Sequence, residues 1–166
     1  MGRCVELRWF VRSDAPACTP KGSAVVRTDR YHLASLTPLR SVKLRGGTKL
    51  EGKVRVGVVE MLCLGAVCGF AETWERVAVP DPHPGRRDGW VDVRKELWRA
   101  RGSEIGRLAV RGETWWTVCV DAAAVGKERP PITDAWVDLL AAHGEPHSYA
   151  SWLLAMARTC EATGHF

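Results

Sequence analysis

Along most of this chain polar and apolar residues alternate with a period of two, the spacing of a β-strand with one wet and one dry face. The alternation recurs over Cys4 to Arg12, Ala24 to Tyr31, Ser41 to Arg45, Lys49 to Gly57, Gly69 to Val79, Trp90 to Arg99, Glu104 to Val110 and Thr114 to Ala122. Glycine- or proline-bearing turns separate these runs, which predicts an antiparallel meander, sandwich or barrel. Val58 to Leu64 fits a ninth strand or a short helix, since a brief apolar run carries no decisive period. Asp81 to Gly89 is a loop by its turn residues. The period then changes. Trp136, Leu139 and Leu140 fall on one helical face behind Pro130-Pro131, with Thr133 or Asp134 as the cap, and a second helix is expected from Ser148. Its stripe of Tyr149, Trp152, Leu153 and Met156 reads as packing against the sheet.

The run Ser41 to Arg55 carries charge at every second position around Gly46-Gly47. A two-residue loop would pair Lys43 with Leu50 and mix charged with aliphatic side chains. A three-residue loop, Gly46 to Thr48, pairs Lys43 with Glu51, Leu44 with Leu50 and Arg45 with Lys49, and only this register keeps the two kinds apart. One face then presents Lys43, Arg45, Lys49, Lys53 and Arg55 against Glu51 alone, a surface suited to water or to an anion.

At 166 residues the chain fits a single domain, residues 1–166, with strands over about 4–122 and a helical tail over about 132–162. A formal charge of +5 with a pI near 9.1 suits phosphate-bearing partners without requiring them. Six cysteines, at positions 4, 18, 63, 68, 119 and 160, show no metal-ribbon spacing. With no apolar leader, reduced thiols and a cytoplasmic location are the default expectation, and no run reaches transmembrane length. Glu6 stands where a myristoylation signal needs Ser or Thr.

Other strands repeat the charged alternation. Glu6, Arg8 and Arg12 oppose Val5, Leu7, Trp9 and Val11; Asp92, Arg94 and Glu96 oppose Val91, Val93 and Leu97; Thr117, Cys119 and Asp121 oppose Trp116, Val118 and Val120. Such strands suit either a half-buried sheet with a wet outer face or a closed barrel with a polar interior. Arginines held within strands favour the second, because planar forks on a rigid scaffold bind oxyanions in bidentate fashion.

Glu6-Leu7-Arg8-Trp9-Phe10, Arg27-Thr28-Asp29-Arg30-Tyr31-His32-Leu33, Val42-Lys43-Leu44-Arg45-Gly46-Gly47, Leu50-Glu51-Gly52-Lys53, Trp115-Trp116-Thr117 with Asp121-Ala122, and Ser148-Tyr149-Ala150-Ser151-Trp152-Leu153 stand in an order that resembles the CYTH-like, or triphosphate tunnel, proteins. The likeness spans nearly the whole chain and is closest to an uncharacterised bacterial branch. It implies a mainly β (α+β) fold, an eight-stranded antiparallel barrel around a polar tunnel with the C-terminal helices packed outside. By the same resemblance Arg8, Lys43, Arg45 and Lys53 match the family's phosphate-gripping cations. Arg76 and Arg94 are the fifth and sixth, with Lys95 replacing Arg94 if the register shifts, and Arg55 joins them from its place on the hairpin face. Glu6, Glu51 and Asp121 are the acids left to hold Mg2+ or Mn2+ for hydrolysis.

The family's first-strand motif has an acid where this chain has Cys4, and its last strand pairs acids where this chain has Cys119 before Asp121. Thiols are poor ligands for a hard cation, so catalysis loses support while anion binding keeps it. Cys4 and Cys119 read as small buried hydrophobes, the alternative being a pair lying side by side where first and last strands meet. His143 and His147 are separated by Gly144 and Pro146 and read as loop residues. The expected partner is an anionic small molecule, with divalent-metal-dependent hydrolysis, a non-catalytic binding or regulatory module, and a nucleic-acid-binding sheet as the functional alternatives. The tryptophans read as core or wall residues, which leaves nucleic acid the least supported. Apolar outer faces left uncovered by the helices would favour a homodimer.

Overall fold

The computed structural model describes residues 3–12, 20–79, 89–125 and 132–162. Most of the loop expected at 81–89 lies outside these residues. Eight strands, β1 (Arg3–Arg12), β2 (Val25–His32), β3 (Arg40–Arg45), β4 (Lys49–Leu64), β5 (Val67–Val77), β6 (Trp90–Ala100), β7 (Ser103–Val110) and β8 (Glu113–Asp121), are followed by helix α1 (Asp134–His143), a two-residue strand β9 (Glu145–Pro146) and helix α2 (Tyr149–Ala162). The sheet order is β5-β4-β3-β2-β6-β7-β8-β1, and antiparallel pairing of β1 with β5 closes it into a barrel. Closure leaves no long unpaired edge.

The hairpin β3–β4 has the register its charge pattern predicts, Lys43 opposite Glu51, Leu44 opposite Leu50 and Arg45 opposite Lys49. Gly46 and Gly47 both turn with positive φ, 58° and 77°, which glycine tolerates without a Cβ clash. Val58 to Leu64 is neither a separate strand nor a helix. It prolongs β4 past an irregularity between Val56 and Glu60, where Gly57 takes φ 75°. Beyond that bulge β4 and β5 leave the barrel wall as a two-stranded arm, and β9 pairs with the freed part of β1 at Trp9 and Phe10.

Every strand sends alternate residues inward and outward, and two separate cores follow. Leu7, Trp9, Val11, Trp116, Val118 and Val120 face outward and are covered by Trp136 and Leu140 of α1. Thr133 precedes α1 and accepts from Trp136 and Val137 through its backbone carbonyl, without a side-chain capping bond. The second core is internal. Phe10, Tyr31, Val91, Val93, Leu108, Val110 and Trp115 cluster with Ala150, Trp152, Leu153 and Met156 of α2. Trp152 stacks on Phe10 with ring centres 4.5 Å apart, and Tyr149 stacks on Tyr31 at 5.2 Å. Phe10 lies on the same strand face as Glu6 and Arg8, so α2 fills one end of the barrel from within. The expectation that both helices pack outside therefore holds for α1 and is corrected for α2. Its aromatic stripe finds apolar cover inside that end of the barrel, against Phe10, Tyr31 and Trp115. Ser148 starts α2 by accepting the Ser151 N–H at 3.0 Å.

Cys63 and Cys68, expected as free thiols, are joined in a disulfide across the β4–β5 arm, where their Cα atoms lie 4.0 Å apart in directly opposed positions. No helix among the described residues is long and apolar enough to cross a membrane.

Candidate functional site

All eight barrel strands and α2 contribute to one cavity of about 160 Å³. Its lining carries seven cations, Arg8, Arg27, Lys43, Arg45, Lys53, Lys95 and Arg99, against two carboxylates, Glu6 and Glu104. Tyr31, Ser41, Trp74, Leu97, Leu108, Thr117, Tyr149 and Ala150 complete it. The pairing registers place these residues on the inward face of each strand, so the cavity is the barrel lumen. Antiparallel order brings the first residues of β1, β2, β4 and β7 and the last of β3, β5, β6 and β8 to the end away from α2. Arg99 and Arg45 lie there with side chains 53% and 32% exposed, and mark the mouth.

Behind the lining two buried acids organise the cations. Asp29, fully buried on β2, receives Lys43 at 2.9 Å and Lys95 at 3.0 Å on one carboxylate oxygen, and Arg27 at 3.1 Å and the Gly46 N–H at 3.2 Å on the other. Burial alone would raise its pKa, but Lys95 and Lys43 outweigh that cost and hold the carboxyl well below its usual range. Glu51 accepts from Arg45 at 3.1 Å, with Lys49 at 3.9 Å and Lys43 at 4.0 Å. Counting both acids with the lining, the lumen holds seven basic side chains against four carboxylates.

Arg8 donates to the Thr117 hydroxyl at 3.2 Å and lies 3.5 Å from Glu6 and 3.8 Å from Glu104. Burial works against charge on both acids, yet Arg8 holds each below its ordinary pKa, helped at Glu6 by Lys53 and at Glu104 by Arg99. Cys119 donates its thiol to Glu6 at 3.3 Å, and burial pushes that thiol well above its ordinary pKa. It is inert as a nucleophile in this setting.

Of the residues singled out in the sequence, Glu6, Arg8, Lys43, Arg45 and Lys53 line the lumen together. Glu51 sits behind them. Arg55 points inward but is bound to Glu72 at 2.7 Å, away from the lining. Arg76 shares the inward face through its pairing with Lys53 but is exposed at the rim. Arg94 faces outward beside Glu96, 3.3 Å away, and Lys95 holds the inward position in its place. Asp121 is exposed at the rim, where its carboxylate accepts the Ala123 N–H at 2.9 Å. Cys4 and Cys119 are both free and are not neighbours, since the register sets Cys119 opposite Arg8, four residues along the strand from Cys4.

Sequence reading had not assigned Arg27, Asp29, Arg99 or Glu104 to the site. Arg27, Asp29 and Tyr31 do alternate, which was the available signal. Arg99 and Glu104 face each other at 2.9 Å across the β6–β7 turn, and their spacing through Gly102 marks them as a cross-strand pair.

Glu6 lies in the lumen lining, Glu51 behind it and Asp121 at the rim. Each already answers to cations or to a backbone N–H, and among the described residues no three His, Cys, Asp or Glu side chains gather closely enough to hold a metal ion. The sequence matches no protein-family model and no curated protein.

Proposed function

We propose that the barrel lumen binds a phosphorylated or otherwise polyanionic small molecule, as the resemblance to triphosphate tunnel proteins implies. The observation that carries this reading is the surplus of basic side chains over carboxylates around a cavity large enough for such a group. Two details support it. Arg8 Nε and Arg45 Nε are buried without a partner among the described residues, a cost that an incoming oxyanion would remove. Lys53 has no carboxylate within ion-pair distance among the described residues, its ammonium lying 3.8 Å from the Cys4 sulfur. Basic groups fixed on strands and partly desolvated attract an anion more strongly than exposed lysines do. Glu6 and Glu51, two of the three carboxylates expected to serve metal-dependent hydrolysis, are engaged by these cations, so the reading is of binding.

The test is calorimetric titration with trimetaphosphate, a cyclic trianion that stays fully ionised near neutral pH. Binding is expected in the wild-type chain. Lys53→Ala should weaken it roughly tenfold or more, the effect of losing one charge-assisted contact. Arg107→Ala, on the outer face beside Glu96, should leave it unchanged. No binding by the wild-type chain would refute the reading. Divalent-dependent release of phosphate from tripolyphosphate, lost in Glu51→Gln, would restore the enzymatic alternative.

A further inference from the structure

The lumen places two amines on one oxygen. Lys43 from β3 and Lys95 from β6 reach the same Asp29 oxygen, at 2.9 Å and 3.0 Å, while Arg27 holds the other oxygen. Three cations thus share one carboxylate, in a space that also contains Arg8 from β1 and is closed by the rings of Tyr31 and Tyr149. Two further acids stand near the pair, Glu104 of β7, already engaged by Arg99, and Glu51 of β4, held by Arg45 and 4.0 Å from Lys43.

The contacts of Lys95 suit both a charged and a neutral amine. Its nitrogen lies 2.8 Å from the Tyr31 hydroxyl, a group that accepts a hydrogen bond from an ammonium and donates one to a neutral amine. Its nitrogen also stands 4.0 Å from the centre of the Tyr149 ring, whose face favours the charged form without demanding it. A neutral amine at either lysine still donates to Asp29. Shedding one proton therefore breaks none of these contacts and relieves the crowding of positive charge.

We propose that anion binding in the lumen is coupled to the uptake of a proton by the Lys43–Lys95 pair. This inference rests on the binding reading above and adds its regulation. Without an anion, one proton is shared unevenly by the pair, whose titration belongs to both amines together. An oxyanion seated against the lining supplies the missing negative charge and draws the second proton in from solvent. Electrostatics agree with the geometry. Burial lowers the pKa of both lysines, more strongly for Lys95, where the charge of Lys43 adds to the effect and Asp29 opposes it. By linkage, affinity is greatest where both amines are protonated in the free chain and falls as pH rises above the free pair's lower pKa, by up to about tenfold per pH unit.

The experiment is titration with trimetaphosphate in buffers of different ionisation enthalpy at one pH, repeated from pH 6 to pH 9. Because the probe does not titrate in this range, protons exchanged with the buffer come from the protein. The expected result is an observed enthalpy linear in buffer ionisation enthalpy, with uptake approaching about one proton per anion at the alkaline end. Lys95→Met should abolish the uptake by removing the amine whose charge burial and Lys43 most disfavour, and Lys43→Met should diminish it by removing the like-charged neighbour of Lys95. A Lys95→Arg chain, whose guanidinium keeps its charge, should bind without uptake and with a flatter pH profile. Binding with no buffer dependence overturns the coupling and leaves the binding reading intact. Uptake that persists in both methionine variants assigns the proton elsewhere and also overturns it. If the wild-type chain does not bind the probe, the inference falls with the reading beneath it.

Discussion

Replacing Asp29 by Asn is the most revealing single change the lumen allows, because it keeps the side chain's shape and removes only its charge. Asparagine can still accept from the Gly46 N–H, which now meets Asp29 at 3.2 Å. What it cannot do is neutralise Lys43, Lys95 and Arg27, which sit 2.9, 3.0 and 3.1 Å from the carboxylate. One such contact is worth about 4 kcal/mol of attraction at an effective dielectric near 20, and desolvation of the ions offsets much of the gross sum. Breaking a buried ion pair from one side costs about 3–5 kcal/mol, since the surviving charge stays buried. About 4 kcal/mol is therefore the expected loss, read as a fall in melting temperature of roughly 8–16 °C for a chain of this size. Urea unfolding at pH 7, followed by tryptophan fluorescence, measures it directly. The pH dependence supplies a second check. Because the lysines outweigh burial and depress the Asp29 pKa, its stabilisation is complete above about pH 4 and is lost only as pH falls through the depressed folded value. The gap between wild type and variant should thus persist at pH 5 and close under stronger acid. A stability loss under about 1 kcal/mol at pH 7 would show that the lumen cations do not depend on Asp29.

Three further outcomes follow from the packing. Trp152→Ala removes the ring stacked on Phe10 at the apolar end of the barrel and should cost about 3–5 kcal/mol, seen in thermal unfolding and in loss of near-ultraviolet dichroism; a loss under 1 kcal/mol would mean that α2 does not fill the barrel end. Gly69→Ala would place a Cβ 2.6 Å from Trp9 Cζ2 and should cost about 1–3 kcal/mol by overpacking, with unchanged stability in denaturant titration counting against the close approach of the arm to Trp9. Acid unfolding of the wild type should set in as pH drops below about 4.3, because Glu6 and Glu104, held low by Arg8 against the opposing effect of burial, give up their stabilisation only through their depressed folded values; an earlier loss, above pH 5, would contradict that pairing.

The hairpin from Ser41 to Arg55 was legible in full because glycine placement and charge alternation both depend on local geometry, and each excluded the same wrong register. The face assignment of β6 was not. That strand carries Asp92, Arg94 and Glu96 on one side and Lys95 and Arg99 among apolar residues on the other, so polarity alone does not mark the interior. Only its pairing with β2, which sets Lys95 opposite Arg27 and Val93 opposite Asp29, selects the inward set. The two readings left open for the charged strands are each true in places, since β3 and β4 turn their charges into the lumen and β6 turns most of its own to water. The position of α2 was hidden for a different reason. A stripe of Tyr149, Trp152, Leu153 and Met156 states that a helix face is buried, but says nothing of which side of a closed sheet buries it. Asp29 was hidden because a lone acid between two arginines looks like a surface ion pair until three strands converge on it.

The way β1 closes the barrel has a consequence for when the lumen can exist at all. Glu6 and Arg8 reach their places only when β1 has paired with β8, more than a hundred residues further along the chain, and with β5 through the four pairs from Arg3–Glu75 to Glu6–Glu72. Partners so distant in sequence bring a large loop-closure entropy that must be met before any contact offsets it, which places such topologies among slow folders. During synthesis β1 therefore waits for β8, the last barrel strand. Glu6 and Arg8 join the other lining cations, which reach from Arg27 to Arg99, only as the barrel closes.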